Sequence, residues 1–571
     1  MRELKNTSQH WHAIVLCTLL LTLPCYYFLL KYTWSIGANW GTLVQHIDLA
    51  KLIIRDLLNV DNSSFYQYKN YLFENDLTYQ WVLHLLLPLL LSLAASSFIT
   101  FKFLWVKGGY DTAIHISGSR LYKDKFAFKH AKKTLKKELK NNPNIGLNIH
   151  PNISITELQE VGNILIEGAQ GSGKSTIIKP IVKNISKTSS PMLIYDAKRE
   201  YTEILLNKDT LLLSPTDERS LCWDIAADIN SPEMAYEIAS CFIIESEKDA
   251  IWGKGARLIL AGCMVSLGEI KPNWTWYDLN KMLDKPTYEL SILFEKYYPK
   301  AAKLLSEDSK TTDSFIMELT TQMSWLDTIA KVWKEDHKYK FSVTDWAQGK
   351  YNFSSLIIPN DPKYSSISAP LCTAVLTLIV REVLALPDNK NKFWFILDEI
   401  ADLPKTKALE KWLSLGRSKG ARTIAGTQNI SQIQSIYGDK NAETLTSLFS
   451  NIVTLKVGSS VSAKKSAENL GKRIVKRATI SFDKEGSRST SYQQSEEYIV
   501  RAEEIMQLPS PSKRGISGYL SISSWNAVYK LVWPYPKIDI IAEAYIPISL
   551  ANNINSTTTS KRGSRGRSRS C

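Results

Sequence analysis

The stretch Gly168-Ala169-Gln170-Gly171-Ser172-Gly173-Lys174-Ser175-Thr176 restricts what this chain can fold into more than any other segment. A short apolar run, Ile164–Ile166, precedes it, and a run with helical periodicity, Ser175–Asn184, follows. Glycines at these spacings let the backbone curl until successive N–H groups and a helix N-terminus face one anion. Strand, GxxxxGK[ST] and helix in that order make a phosphate-binding loop. Lys174 is placed to reach the β- and γ-phosphates of ATP, and the Ser175 hydroxyl to ligate Mg²⁺. Gly168 to Thr176 are therefore the expected nucleotide-binding residues.

Such a loop works with a second strand that ends in carboxylates. Phe393–Leu397 followed by Asp398 and Glu399 supplies it: five apolar residues, as in a strand buried on both faces, then an acidic pair. Asp398 is expected in the Mg²⁺ shell and Glu399 beside the attacking water. Strands also end in an Asp that merely caps the next helix, but the upstream loop favours the catalytic reading. Met192–Tyr195 ending at Asp196, Phe353–Ile358, and Thr423–Gly426 ending at Thr427 and Gln428 fit the same parallel sheet. Their polar residues gather at strand C-terminal ends, where open α/β sheets bind ligands. The helical run Ala408–Arg417 lies between the last two of these strands. Arg417 at its end is either a complement to the helix dipole or a catalytic finger.

Residues 231–345 break the alternation of strand and helix. Helical patterns cover Glu233–Ile244, Ala250–Leu267, Tyr288–Leu305 and Asp313–Tyr339, and Thr275-x-x-Asp278 opens another like a capping box. An all-helical insert is expected there. Its interleaved Trp, Lys and Arg residues suit either a helical core or contact with nucleic acid.

Two charge-free gaps of 25 residues, Asn6–Leu30 and Leu77–Phe101, each suffice for a spanning helix. Trp11, Tyr26, Tyr27, Tyr32, Tyr79 and Trp81 sit where interfacial aromatics belong, and Pro24 and Pro88 are tolerable inside spans. Residues 102–140 carry eleven basic side chains against three in 32–76. The positive-inside rule therefore places both termini in the cytoplasm and the 33–76 loop outside.

A chain of 571 residues exceeds one compact core. Its net charge of +14 favours polyanionic partners. Seven cysteines without paired spacing imply neither a zinc site nor a disulfide framework. The expected division is a membrane anchor at 1–105, with spans near 11–30 and 81–101, and a basic cytoplasmic linker and start of the soluble domain at 106–150. A nucleotide-binding domain in two parts, 151–230 and 346–548, encloses the helical insert at 231–345. The basic, low-complexity tail at 549–571, ending in Cys571, is expected to be disordered.

In this order the motifs resemble the conjugative type IV secretion coupling proteins of the TraD/TrwB kind, within the FtsK-like class of P-loop ATPases. Beyond the phosphate loop, Ile194–Glu200, Leu213–Asp224 with its Asp217-x-Arg219 and Trp223, Ile251–Arg257, Leu397–Pro404, Gly416-Arg417 and Gly426–Asn429 are similar to family segments. Arg199 departs from the glycine usual at that place. The resemblance implies an α/β fold: two N-terminal transmembrane helices, a RecA-like P-loop domain with a mainly parallel central sheet, and an inserted all-α domain. It implies an ATP- and Mg²⁺-dependent homo-hexamer in the bacterial inner membrane that drives single-stranded DNA, largely irrespective of sequence, into a secretion channel. A relaxase or relaxosome and the inner-membrane components of the secretion system are the implied partners. It further implies an arginine finger at Arg417 and a phosphate-sensing glutamine at Gln428. A duplex-DNA translocase and a non-motor docking receptor for secreted proteins are the competing readings. The acidic pair Asp398–Glu399 speaks against the receptor, because a pure scaffold needs no water-orienting acid.

Overall fold

The computed structural model describes residues 8–33, 51, 63–104, 114–246, 249–306, 309–333, 339–360, 362–388, 392–482 and 488–548. The expected tail 549–571, much of the expected 33–76 loop and the Trp11 side chain lie outside what is described. The chain falls into two compact units, 1–113 and 114–571.

In the first unit, apolar helices Ser8–Thr33 and Thr78–Leu104 pack on each other. Each reaches roughly 40 Å at ~1.5 Å per residue, enough to cross a bilayer. Small and polar residues face the contact: Ser92, Ser96 and Thr100 are buried, and the Thr18 and Thr100 hydroxyls hydrogen bond at 2.7 Å. Large apolar side chains such as Leu19, Leu23, Phe28, Leu90 and Phe98 point outward. Helices that associate in lipid follow this pattern, with close backbone approach inside and apolar bulk outside.

The second unit is built on a ten-stranded sheet. In chain order its strands are β2 (Arg120–Lys123), β5 (Ile164–Glu167), β6 (Met192–Asp196), β7 (Thr210–Leu212), β10 (Ser355–Pro359) and β11 (Phe393–Leu397), then β12 (Ala421–Thr427), β13 (Asn451–Thr454), β16 (Ile516–Ile522) and β17 (Ala527–Trp533). Spatially they run β2-β17-β16-β13-β5-β12-β11-β6-β10-β7. From β13 to β7 all neighbours are parallel, whereas β16 pairs antiparallel with β13 and β17. Strands β5, β6, β10 and β11 are buried at every residue, because helices cover both faces. The five strands legible in the sequence form the middle of the sheet. Strands β2, β7, β13, β16 and β17 extend it at the sides. Two small sheets pair β3 (Ile145–His150) with β4 (Ile153–Thr156), and β8 (Cys222–Trp223) with β9 (Lys340–Phe341). A third joins β1 (Ile114–Gly118), β14 (Lys472–Phe482) and β15 (Arg488–Tyr498).

Between β8 and β9 the described residues form only helices, the longest being Ala250–Ile270. That helix and Ser365–Ala385 are long and apolar enough to span a membrane, yet 61% and 72% of their apolar windows are buried inside the unit. They are core helices. Thr275 and Asp278 form the expected capping box. Two expected helices are interrupted. Tyr288–Leu305 becomes Thr287–Tyr297 and Pro299–Ala302, since Pro299 cannot donate to the previous turn and starts a new helix. Asp313–Tyr339 becomes Lys310–Gln322 and Leu326–Val332, with 334–338 outside the described residues. Met323 and Trp325 would point to opposite sides of a continuous helix, and the break lets both be buried. Four of the insert's five tryptophans are core rather than a nucleic-acid surface: Trp274, Trp276, Trp325 and Trp333 are buried, and Trp276 packs on Trp325 and Trp333 at 5.8–6.2 Å, while Trp252 is half-buried.

Asp228 ties the ends of the insert together. It is 2% exposed and accepts from Trp223 Nε1 at 2.6 Å, Ser342 Oγ at 2.6 Å, Val343 N at 2.8 Å and Thr344 N at 3.0 Å. Asp228→Ala leaves these donors without an acceptor and is expected to destabilise the fold by about 3 kcal/mol. A thermal melt of the full chain checks this; an unchanged midpoint contradicts the role.

Candidate active site

Strand β5 delivers the chain into the glycine turn. Gly168 N donates to Thr427 O at 3.0 Å and Ala169 N to Lys456 O at 2.8 Å, so β12 and the segment after β13 fix the start of the loop. Gly173 caps the following helix, Lys174–Ser186, at φ +100°, a conformation that favours glycine. A Cβ there would also meet Ile516 at 2.5 Å. Gly171, at φ +74°, has open space around it and leaves the mouth of the turn clear. Gln170 and Gly171 are exposed, Ala169 and Thr176 half-buried, and Ser172 buried with its Oγ lacking a hydrogen-bond partner.

Lys174 Nζ donates to the Gly168 carbonyl at 2.8 Å. Burial lowers its pKa, with Lys198 acting in the same sense and Glu399 and Asp398 opposing. An ammonium with two donor positions left over is suited to an anion entering the turn. Ser175 Oγ donates to Asp398 Oδ1 at 3.4 Å, so the hydroxyl and the first carboxylate of the β11 end stand together. This hard-oxygen pair, beside a loop that presents N–H groups, fits Mg²⁺, which takes one or two protein oxygens and leaves the rest to phosphate and water. Among the described residues no cluster of three or more His, Cys, Asp or Glu offers a metal cage of its own.

Glu399 is 7% exposed, and burial pushes its carboxyl up to about 7 against the pull of Lys174. Its Oε1 accepts from Gln428 N at 3.1 Å, which links the β11 and β12 ends. The structure thus brings Lys174, Ser175, Asp398, Glu399 and Gln428 to one edge. Arg417 does not join them. It is exposed in the 3₁₀ turn Gly416–Lys419, ahead of β12. The seven residues of β12 separate that turn from Gln428, roughly 20 Å at ~3.3 Å per residue.

Sequence reasoning left the supporting residues unassigned. Tyr201 Oη donates to Asp398 Oδ1 at 3.3 Å. Fully buried Asp196 accepts from Tyr201 N at 3.0 Å and Thr202 N at 2.9 Å, and burial raises its carboxyl to about 6. Asp196 therefore caps the helix Glu200–Leu205 that carries Tyr201. Arg199, in place of the family's glycine, holds a left-handed φ of +60°. Its guanidinium reaches Asp217 Oδ2 at 3.3 Å and lies 4.2 Å from the Tyr545 ring centroid. Asp217 also receives Arg219 Nη2 at 2.8 Å. The Asp217-x-Arg219 motif is thus a buried lock on this turn and on the segment near Tyr545. The signal available in sequence was Asp196 at a strand end, three residues before a left-handed position.

Fold and site define a P-loop NTPase domain of the RecA-like kind, carrying an all-helical insert. The chain belongs to the type IV secretion coupling proteins: the model of that family's DNA-binding domain matches residues 147–528. It is 23% identical over 401 residues to the coupling protein TraD of Escherichia coli (strain K12), covering 68% of this chain and 54% of TraD. The chain thus spans about half the length of that curated relative. The unbound monoclinic form of the bacterial conjugative coupling protein TrwBdeltaN70 superposes with a TM-score of 0.66 at 20% identity, over 77% of this chain and 98% of TrwBdeltaN70. TrwB in complex with ADP and Mg²⁺ superposes at 0.64 and 20% identity, over 77% and 99%. These likenesses show a shared fold.

Gly426 in β12 is where this edge closes most tightly, since a Cβ there would lie 2.2 Å from the Asp398 carbonyl oxygen. Gly426→Ala is expected to destabilise the domain by about 1–3 kcal/mol through forced backbone displacement. Gly268→Ala, at a helix position with open space around it, is the control and is expected to be neutral or to stabilise by up to about 1 kcal/mol. Equal melting temperatures for the two variants would contradict this close approach.

Proposed function

We propose that this chain is an ATP-hydrolysing coupling protein of a bacterial inner membrane. It recruits a relaxase–DNA complex and moves single-stranded DNA toward a type IV secretion channel during conjugation. The observation that carries the reading is the convergence of Lys174, Ser175, Asp398, Glu399 and Gln428 at the ends of β5, β11 and β12. The family match supports the conjugative role, and TrwB structures with ADP and Mg²⁺ and with the ATP analogue ADPNP support the nucleotide.

In this reading, the backbone N–H groups of Gly168–Thr176 and the helix N-terminus at Lys174 cradle the phosphates. Lys174 exchanges the Gly168 carbonyl for the β- and γ-phosphate oxygens. Ser175 and Asp398 would hold Mg²⁺, which when bound would neutralise charge on the transferring group. Glu399 orients the attacking water and takes its proton, and Gln428, hydrogen-bonded to Glu399 through its backbone, senses the γ-phosphate. Tyr201 positions Asp398.

Arg417 acts on a neighbour. Its distance along β12 from its own phosphate loop suits a finger supplied in trans, which requires a ring, and the family resemblance favours six members. The +14 charge suits a DNA backbone bound largely without sequence preference. The two apolar helices of the first unit suit the membrane anchor, with the basic 102–140 side in the cytoplasm. Secretion-system membrane components are then the neighbours that receive the DNA.

ATP turnover by the full chain, with and without single-stranded DNA, tests the reading. Glu399→Gln is expected to keep nucleotide binding and to slow turnover by roughly 10²-fold or more. Lys174→Ala is expected to lose turnover and most nucleotide affinity. Wild-type turnover in Glu399→Gln would remove the water-orienting role, and turnover indifferent to DNA would remove the motor.

A further inference from the structure

Nineteen residues separate the second apolar helix, which ends at Leu104, from the helix Asp124–Glu138, and no catalytic role above employs the latter. Its inner face is apolar: Ala127 and Ala131 are buried, and Phe128 and Leu135 pack into the core beneath the sheet. Contacts to β2, β4 and β17 seat it firmly. The outer face is different. Lys125, Lys129, Lys132, Lys133, Lys136 and Lys137 are all exposed. At ~100° per residue they fall within an arc of roughly 140°. Phe126 lies inside the same arc and is 74% exposed. The helix's two acids, Asp124 and Glu138, fall outside it, and Glu138 Oε1 is turned inward to Gln159 Nε2 at 3.1 Å and Ser524 Oγ at 2.9 Å. Among the described residues none of the six lysines has an ion-pair partner.

We propose that this helix face binds the anionic phospholipid headgroups of the bilayer, with Phe126 entering the interfacial layer. A face of lysines around one exposed aromatic, rigidly presented, matches a surface of diffuse negative charge above an apolar layer. Lysine clusters that follow a membrane segment on its cytoplasmic side are drawn to such surfaces. Nucleic acid is the competing polyanion. The DNA-binding family match begins at residue 147, beyond this helix, and the face offers one aromatic rather than the series on which successive bases stack. The proposal rests on the membrane anchoring argued above and adds a second, electrostatic contact to it.

Lysine footprinting by amine acylation and mass spectrometry, on the full chain in bilayer discs, tests it. Discs of phosphatidylcholine alone are compared with discs that also contain phosphatidylglycerol. The six lysines are expected to react roughly tenfold more slowly in the anionic discs, and to regain reactivity at molar salt, where the Debye length falls to ~3 Å. Exposed Lys296 and Lys300 of the helical insert serve as controls and are expected to be unaffected. Insertion into discs with equal lysine reactivity in both lipids overturns the lipid contact while leaving the anchor intact. Failure to insert overturns the anchor and the lipid contact together. Stronger protection by a single-stranded oligonucleotide in neutral discs than by phosphatidylglycerol overturns the proposal in favour of nucleic acid.

Discussion

Strand β12 holds the site together by lying between its two halves. It pairs with β5, which ends in the phosphate loop, and with β11, which ends in the acidic pair. Three contacts at its C-terminal end set their spacing. Thr427 O receives Gly168 N, Gln428 N reaches Glu399, and Gly426 omits the side chain that would collide with the Asp398 carbonyl. Lys174 can therefore feel both carboxylates across a strand that contributes neither. Every residue of β12 is buried, so this spacing is locked by packing on both sides.

A second layer fixes the orientation of the carboxylates. Asp196, at the end of β6, caps the helix that points Tyr201 at Asp398. Arg199 makes the turn between them in a left-handed conformation that a glycine would adopt with less strain. Its guanidinium is gripped by Asp217 and covered by Tyr545, so the substitution brings its own compensation. A change near residue 545 can thus reach the turn that carries Tyr201, and through it Asp398, by way of two buried charges.

The centre of the fold was legible in the sequence because its strands are buried on both faces and read as unbroken apolar runs. The glycine loop and the acidic pair were legible because their chemistry tolerates few alternatives. The sides of the sheet were not. Strands β2 and β7 have four and three residues, too short for a period to show. Strands β16 and β17 join through Ser523–Asn526, where Asn526 at φ +47° was the available turn signal. Tryptophans in the helical insert suit a core and a nucleic-acid surface equally well in sequence, and only their burial separates the two. Tyr201 could not be found, since nothing local distinguishes a core tyrosine from one that reaches across strands to a carboxylate.

In the proposed reading, Arg417 makes the site depend on a second subunit. It is exposed, and a strand's length separates it from the loop it would serve in its own chain. A finger supplied in trans contributes about 10³–10⁵ in rate to other NTPases, so an isolated subunit should be nearly silent. Mixing Arg417→Ala with Lys174→Ala chains, each expected to be inactive alone, isolates this dependence. Some interfaces in a mixed ring pair an intact phosphate loop with an intact arginine, and ATP turnover is expected to reappear there. Mixed assemblies, shown to contain both chains, that remain inactive would contradict a site shared between subunits, as would an Arg417→Ala chain with normal turnover.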